Sequence, residues 1–363
     1  MEIKRLLSLD AFRGYTIAAM ILVNFPGSWS HIYGPLRHAG WNGLTPTDLV
    51  FPFFLFIVGV SIALAYTKRI QKGVSAREMH LKILFRTIKI FGVGLLLDFI
   101  HHFRFSEIRY AGVLQRIAIV FLVSSLLFLH SRWISQTIIG AGLLILYWLA
   151  MTLIPTPGYP SAMLEPGINL AAWVDEKLLP GRMWQGTWDP EGIMSTIPAI
   201  STCIMGMLTG LMILDNTSQE RKIRRIFILG FAAVIVGYAW SWIFPVNKSL
   251  WTSSYVLITG GLAMIILSIL IFLIDVKPYN SFARFGVVFG ANAIAVYVLA
   301  GLLAFVFYTI PFAGASLNEH FVGLAEHTFF SYKFMSLLYA MMFVAVNYIP
   351  AYWLYSRRIH IRL

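Results

Sequence analysis

The sequence predicts an all-α, polytopic integral membrane protein of about ten transmembrane helices, with both termini on the cytoplasmic side. Three observations point there. Of the 363 residues, 58% are hydrophobic and only 12% are charged, where a soluble domain carries roughly 25% charged residues. The mean hydropathy is +0.75. The apolar residues also gather in runs near the roughly 20 that a spanning helix needs. This composition excludes an ordinary soluble globule. It also excludes a disordered chain, because too much apolar surface would be left in water.

The spans fall at about 11–30, 47–67, 83–102, 113–130, 134–154, 196–214, 225–244, 250–274, 285–311 and 330–355. The first follows the polar start MEIKRLLSLDAFRG, which has no small-residue cleavage site and reads as a retained, cytoplasmic N-terminus. The second opens on Thr45-Pro46-Thr47-Asp48, a capping Thr, a Pro in the first turn and an acid three residues after the cap. The third ends in Asp98, His101 and His102, and the fourth opens with Gln115 and Arg116. Polar groups at that depth must face protein or water rather than lipid. The eighth has Lys248, Trp251, Ser253 and Tyr255 at its outer start, and the ninth holds Asn292 and Tyr297. Asn292, within an apolar span, needs a partner and is expected to face the bundle.

Charge orients these spans. With the N-terminus inside, 20 of the 28 Lys and Arg lie on the inner side, Lys4, Arg5 and Arg362 among them, as basic residues do on the cytoplasmic side of membrane proteins. The net charge of +12 is read as this asymmetry and contact with membrane lipid, not as a nucleic-acid surface. Residues 1–363 are expected to form one transmembrane domain, with outside loops at 31–46, 103–112, 155–195 and 312–329. The single cysteine, Cys203, lies in an apolar run and excludes disulfides and Cys-metal sites. No metal is expected, because the adjacent His101 and His102 would point about 100° apart on a helix.

Four clusters could carry chemistry. In the segment 24–48, Asp48 has a ready capping role, and His38 lies outside the spans beside Gly and Trp. An imidazole there is either a loop histidine bonded to backbone or a base that moves a proton near neutral pH. Asn24, before Pro26-Gly27, reads first as a capping or interhelical residue. Its other role would be an amide N–H donated to a developing oxyanion. In 98–116, Glu107 with Arg109 reads as an ion pair, and Arg116 is the stronger functional candidate, since a buried arginine usually has a partner. Lys82, Arg86 and Lys89 share one helix face, suited to anionic lipid or to the phosphates of a nucleotide-like cofactor. Trp251 and Tyr255 read as residues of the interfacial aromatic belt. There is no G-x-S-x-G, H-E-x-x-H, Walker A or G-x-G-x-x-G arrangement.

The stretches RLLSLDAFRG (5–14), VNFPG (23–27), RHAGWNGLTPTDLVFPFFLFIVG (37–59), RYAGVLQRIAI (109–119), NKSLWTSSYVL (247–257) and GANAIAVYV (290–298), with the basic end YSRRIHIRL, resemble the heparan-α-glucosaminide N-acetyltransferase family of transmembrane acetyltransferases. The resemblance runs in order through nearly all of the chain, and GWNGLTPTDLVFPFF is its most specific block. It implies an acetyl-CoA donor on the cytoplasmic side and an amino-sugar acceptor on the other. The family histidine falls on His38 and the family asparagine on Asn24, so His38 is implied to deprotonate the acceptor amine or to take the acetyl group itself. Asn24 then polarises the thioester carbonyl, and Asp48 orients His38. Candidates for the donor are Arg116, Gln115, Lys82, Arg86, Lys89 and Asn292. Candidates for the acceptor are Trp41, Asn42, Arg109, Lys248 and Trp251, with Trp184 and Trp188 available to stack on sugar faces. The sequence lacks the lysosomal relative's large luminal domain and the helix before it, which leaves ten spans and fits a bacterial inner-membrane relative. A homodimer is a further expectation from the family. The competing reading is an amino-sugar transporter using the same loops as a gate, weakened because no acidic pair sits deep in an apolar span.

Overall fold

The computed structural model describes residues 6–277 and 280–361, without the side chains of residues 101, 102, 106 and 280–282. Lys4, Arg5 and Arg362, counted in the charge asymmetry, and the side chains of His101 and His102 therefore lie outside the described residues. The regular elements of the described residues are all helices, and β-pairing among them is limited to two isolated bridges, Arg109 with Gly181 and Phe312 with Ala315. Among the described residues, seven helices are long and apolar enough to cross a membrane. An eighth span results if 283–291 and 293–309, bent by 79°, count as one. The chain is a polytopic membrane protein. Of the ten expected spans, those at 11–30 and 83–102 lie on helices that fall short of this standard, because Asp10 and Arg13, and the basic face with Asp98, interrupt their apolar runs.

The chain forms two compact units. One comprises, among the described residues, 40–44 and 52–272. Its helices are α2 (Val50–Gln71, from residue 52), α3 (Ala76–His102), α4 (Val113–His130), α5 (Trp133–Leu153), α6 (Leu170–Leu178), α7 (Ile193–Leu214), α8 (Gln219–Trp240) and α9 (Ser253–Leu270). α3 packs on α4 and α8 on α9, and α7 packs against α4, α5 and α9. α2 and α7 meet through small residues. A Cβ on Gly59 would collide with the Cys203 carbonyl, and one on Gly206 with the Phe56 carbonyl. Without a hydrophobic drive in lipid, such close backbone approach is what holds helices together. A second cluster joins Tyr147, Met151, Leu170, Phe244 and Leu250, with Trp41 packed on it. The Tyr147 hydroxyl there donates to the Leu250 carbonyl at 2.6 Å.

The other unit comprises 6–39, 45–51 and 273–361. α1 (Leu7–Asn24) ends where Pro26-Gly27 follows, and the Phe25 N–H closes it on the Ile21 carbonyl. The Asp275 carboxylate caps its start, accepting the N–H groups of Leu7 (3.2 Å) and Ser8 (3.3 Å). α1 packs on α10 (Asn280–Ala291), where a Cβ on Gly14 would strike the Gly286 carbonyl. α11 (Ala293–Thr309), α12 (Leu317–Gly323) and α13 (Tyr332–Ser356) complete the unit. Asn292 stands at the break between α10 and α11 and finds its partner in the chain's own tail. Its amide donates to the Ile359 carbonyl (3.0 Å) and accepts the Ile361 N–H (2.8 Å).

Two of the loops expected on the outside, 155–195 and 312–329, carry helices that sequence periodicity had not marked. α6 starts on Asn169, whose side chain accepts the Ala172 N–H at 2.9 Å. α12 starts on Ser316, which donates both its N–H and its hydroxyl to Glu319.

Candidate active site

The site is built on the turn between α1 and α2. Pro46–Leu49 is a single 3₁₀ turn leading into α2, started by Thr45 as expected. Asp48 therefore lies at a helix entrance, and its side chain is 1% exposed. Its Oδ2 accepts the Thr45 N–H at 3.0 Å and the Ala39 N–H at 3.1 Å. The Thr45 hydroxyl is 2.9 Å from Oδ2 and 2.7 Å from the Arg37 carbonyl, so its one proton serves either. The other oxygen, Oδ1, lies 2.7 Å from Nδ1 of His38. A carboxylate can only accept, so Nδ1 carries the proton. The lone pair of the imidazole is then on Nε2, and the His38 side chain is 47% exposed. The capping acid and the histidine form one device. Burial and backbone donors hold the carboxylate, and the carboxylate sets ring orientation and tautomer.

Asn24 is exposed at the last residue of α1 in the same unit. Trp41 and Asn42 belong to the other unit, which holds Gly40–Leu44 firmly. The Trp41 indole N–H donates to the Leu164 carbonyl (3.0 Å), and its ring meets Trp188 edge-on at 5.2 Å. The Asn247 amide donates to Asn42 (3.1 Å), and Gly43, at φ +116°, donates to the Val246 carbonyl (2.8 Å). Only glycine adopts that φ readily.

The Arg109 pairing expected with Glu107 is corrected. Glu107 pairs with Arg104 at 3.0 Å. Arg109 instead grips Asp189, with Nε to Oδ2 at 2.7 Å and an NH₂ group to Oδ1 at 2.5 Å, and also pairs with Glu191. Its guanidinium lies over Trp184, 5.1 Å from the ring centre. Burial alone would pull its pKa down, but the two carboxylates more than offset this and raise it. Both partners lie some eighty residues along the chain, so no local spacing could reveal them. Gln115 donates to the Arg109 carbonyl at 3.3 Å. Arg116 is 1% exposed and donates to the carbonyls of Pro190 (2.9 Å) and Gly192 (3.3 Å) and to the Ser195 hydroxyl. It lies over Trp251 at 5.0 Å. Both residues thus hold the 189–195 segment rather than line an open site.

Trp251 is a second correction. It is 1% exposed, not a belt residue, with its indole N–H on the Thr202 hydroxyl at 3.1 Å and Tyr255 edge-on at 5.3 Å. A sugar has no free face there. Lys248 is half-buried in the same connection. Of the basic face on α3, Lys82 pairs with Glu78 (2.5 Å), Arg86 lies over Phe121 at 4.7 Å, and Lys89 is exposed.

Sequence reasoning missed Asp175. It is 2% exposed on α6, and its Oδ1 accepts the Ile193 N–H at the start of α7 (2.8 Å). Burial pushes its carboxyl up to about 7. Asp189 adds to the rise, and the Ile193 N–H and Arg116 oppose it. The folded chain therefore binds a proton that the unfolded chain releases near 3.8. Stability from this group is complete below that pH and is lost as pH rises to about 7, by at most about 1.4 kcal/mol per unit. Asp175→Asn is expected to flatten this fall. Thermal unfolding followed by tryptophan fluorescence at pH 5 and pH 8 checks it, and an unchanged pH dependence in the variant would refute it.

Comparison with known proteins bears on the same turn. The family model described as heparan-alpha-glucosaminide N-acetyltransferase, catalytic, matches residues 5–225 and so includes Asn24, His38 and Asp48. Heparan-alpha-glucosaminide N-acetyltransferase of Mus musculus is 31% identical, covering 81% of this chain and 53% of its own length. The Homo sapiens protein of that name is also 31% identical, with 81% and 52% covered. The chain thus spans about half the length of these relatives. With the model matching well over half of its residues, this chain belongs to the heparan-alpha-glucosaminide N-acetyltransferase family.

Proposed function

We propose that the chain is a transmembrane acetyltransferase, moving the acetyl group of cytoplasmic acetyl-CoA to the amine of a glucosamine-like sugar on the opposite side of the membrane. The observation that carries this reading is the 2.7 Å contact between His38 and the buried Asp48. Family membership and the acetyl transfer in the relatives' names support it.

The steps follow from the tautomer. Nε2 of His38 takes the proton of the acceptor amine as its nitrogen bonds to the thioester carbon. The carbonyl electrons move to oxygen, where the Asn24 amide donates a hydrogen bond. The oxyanion then collapses, the C–S bond breaks, and the CoA thiolate leaves with the proton from the imidazolium. Asp48 stays ionised throughout, supporting the charge on the ring. On the donor side, Lys82, Arg86 and Lys89 are the proposed contacts for the CoA phosphates.

The test is transfer from radiolabelled acetyl-CoA to glucosamine and to its sulfated and phosphorylated forms, with the full chain purified in detergent. N-acetylated product is expected. No product with any of these amines would sink the reading. Label retained on the protein without acceptor would reveal an acetyl-histidine route instead of direct transfer.

A further inference from the structure

His38 sits on exposed chain. From Tyr33 to His38 every residue except the half-buried Leu36 is exposed, and Gly34–Leu36 is a single 3₁₀ turn. The bonds within this loop are local. The Leu36 N–H donates to the Tyr33 carbonyl at 2.9 Å, and the Arg37 N–H to the Gly34 carbonyl at 3.1 Å. Bonds of this kind close a turn on itself. They do not fix where the turn stands against the rest of the fold.

The entrance of α2 reaches across to the loop with three side chains of the same unit. The Thr47 hydroxyl donates to the Pro35 carbonyl at 3.2 Å. The Thr45 hydroxyl lies 2.7 Å from the Arg37 carbonyl. Asp48 takes the Ala39 N–H and faces His38. The two threonines meet the loop in antiparallel order, 47 on 35 and 45 on 37, so they grip it at alternate residues just before His38. Thr45 and Asp48 also cap the 3₁₀ turn that leads into α2. Thr47 takes no part in that cap. Its side chain is buried, and its hydroxyl spends its proton on a loop carbonyl twelve residues earlier in the chain. A base displaced by about 1 Å loses roughly 10²-fold in rate, so an exposed loop that carries one needs such a fastening.

We propose that Thr47, with Thr45 beside it, is a positioning residue for acetyl transfer. Its hydroxyl fastens the loop of His38 to the entrance of α2 and so keeps Nδ1 on Asp48 and Nε2 in place for the acceptor amine. This rests on the acetyl-transfer reading above.

The experiment compares wild type, Thr47→Val and Thr47→Ser as full chains purified in detergent. Valine keeps the shape of threonine and removes the hydroxyl, whereas serine keeps the hydroxyl and removes the methyl. Thr47→Val is expected to lower kcat about tenfold at an unchanged KM for acetyl-CoA, and Thr47→Ser to stay within about twofold of wild type. A role in packing alone predicts the reverse order, because serine leaves a methyl-sized void in a buried position and valine does not. Hydrogen exchange followed by mass spectrometry adds a reading independent of turnover. Peptides covering residues 34–39 are expected to exchange faster in Thr47→Val than in wild type, and at the wild-type rate in Thr47→Ser. Should Thr47→Val not fold, Thr47→Ala takes its place in the same comparison. A kcat for the hydroxyl-free variant within about twofold of wild type, a serine variant as slow as the valine one, or unchanged exchange at 34–39 overturns the proposal while acetyl transfer stands. If wild type transfers no acetyl group, the transfer reading fails. The exchange comparison then still judges the fastening, faster exchange in Thr47→Val supporting it and equal exchange refuting it.

Discussion

Replacing His38 by alanine is expected to lower kcat for acetyl transfer by about 10³-fold, within the range that a positioned base contributes. The fold should survive. His38 is half-exposed, so its loss opens no buried cavity. Asp48 keeps the backbone N–H groups of Ala39 and Thr45, so the turn around it has a reason to hold. The measurement is steady-state acetyl transfer, with size-exclusion profile and melting temperature as the controls for folding. A kcat within tenfold of wild type, in a folded variant, would remove His38 from the chemistry. The contrast with Asn24 is informative. One hydrogen bond to the oxyanion is worth about 10²-fold or more, so Asn24→Ala should leave measurable turnover.

Much of this turn was legible in the sequence because its parts are local. Thr45, Pro46 and Asp48 announce a helix start within four residues, and His38 lies only ten residues before Asp48. What spacing alone left undecided was whether Asp48 serves the helix or the histidine. The structure shows why both hold: a carboxylate has two oxygens, and each takes one task. The helices were legible for a related reason, since apolar runs and basic flanks record the demands of a bilayer. Their ends were less so. α1 stops at Asn24 rather than near residue 30, and α3 begins at Ala76, where Ser75 accepts the Glu78 N–H.

The illegible features are the long-range ones. Nothing near Arg109 points to Asp189 and Glu191, and nothing near Asn292 points to the tail at Ile359. A sequence can require that a buried polar group be paired without saying by what. Trp251 shows the same limit from the other side. Its neighbourhood suits an interface, but its N–H reaches Thr202 on α7 and draws the ring into the core.

Asp48→Asn separates the two tasks of that carboxylate and should lower kcat by about 10³-fold while KM for acetyl-CoA stays near wild type. The amide has one accepting oxygen and one donating nitrogen. If the oxygen stays with the N–H groups of Ala39 and Thr45, the NH₂ faces Nδ1 of His38, which must then accept. The ring proton moves to Nε2, and the base loses the lone pair that takes the amine's proton. A wrong tautomer of this kind costs about 10⁴-fold in the serine-protease triad. Should the amide turn over instead, its NH₂ meets two backbone donors, and the turn is weakened by about 1–3 kcal/mol for the unsatisfied groups. Either orientation is damaging, but they differ in what is measured. The first lowers kcat at an unchanged melting temperature; the second lowers the melting temperature, and because the amide oxygen then still accepts from Nδ1–H, kcat falls only by the loss of the charge that supports the imidazolium. Asp48→Glu keeps the charge and two acceptors on a longer arm, so it should recover part of the rate that Asp48→Asn loses. A folded Asp48→Asn with kcat within tenfold of wild type would show that the carboxylate serves only the turn, and that His38 finds its orientation elsewhere.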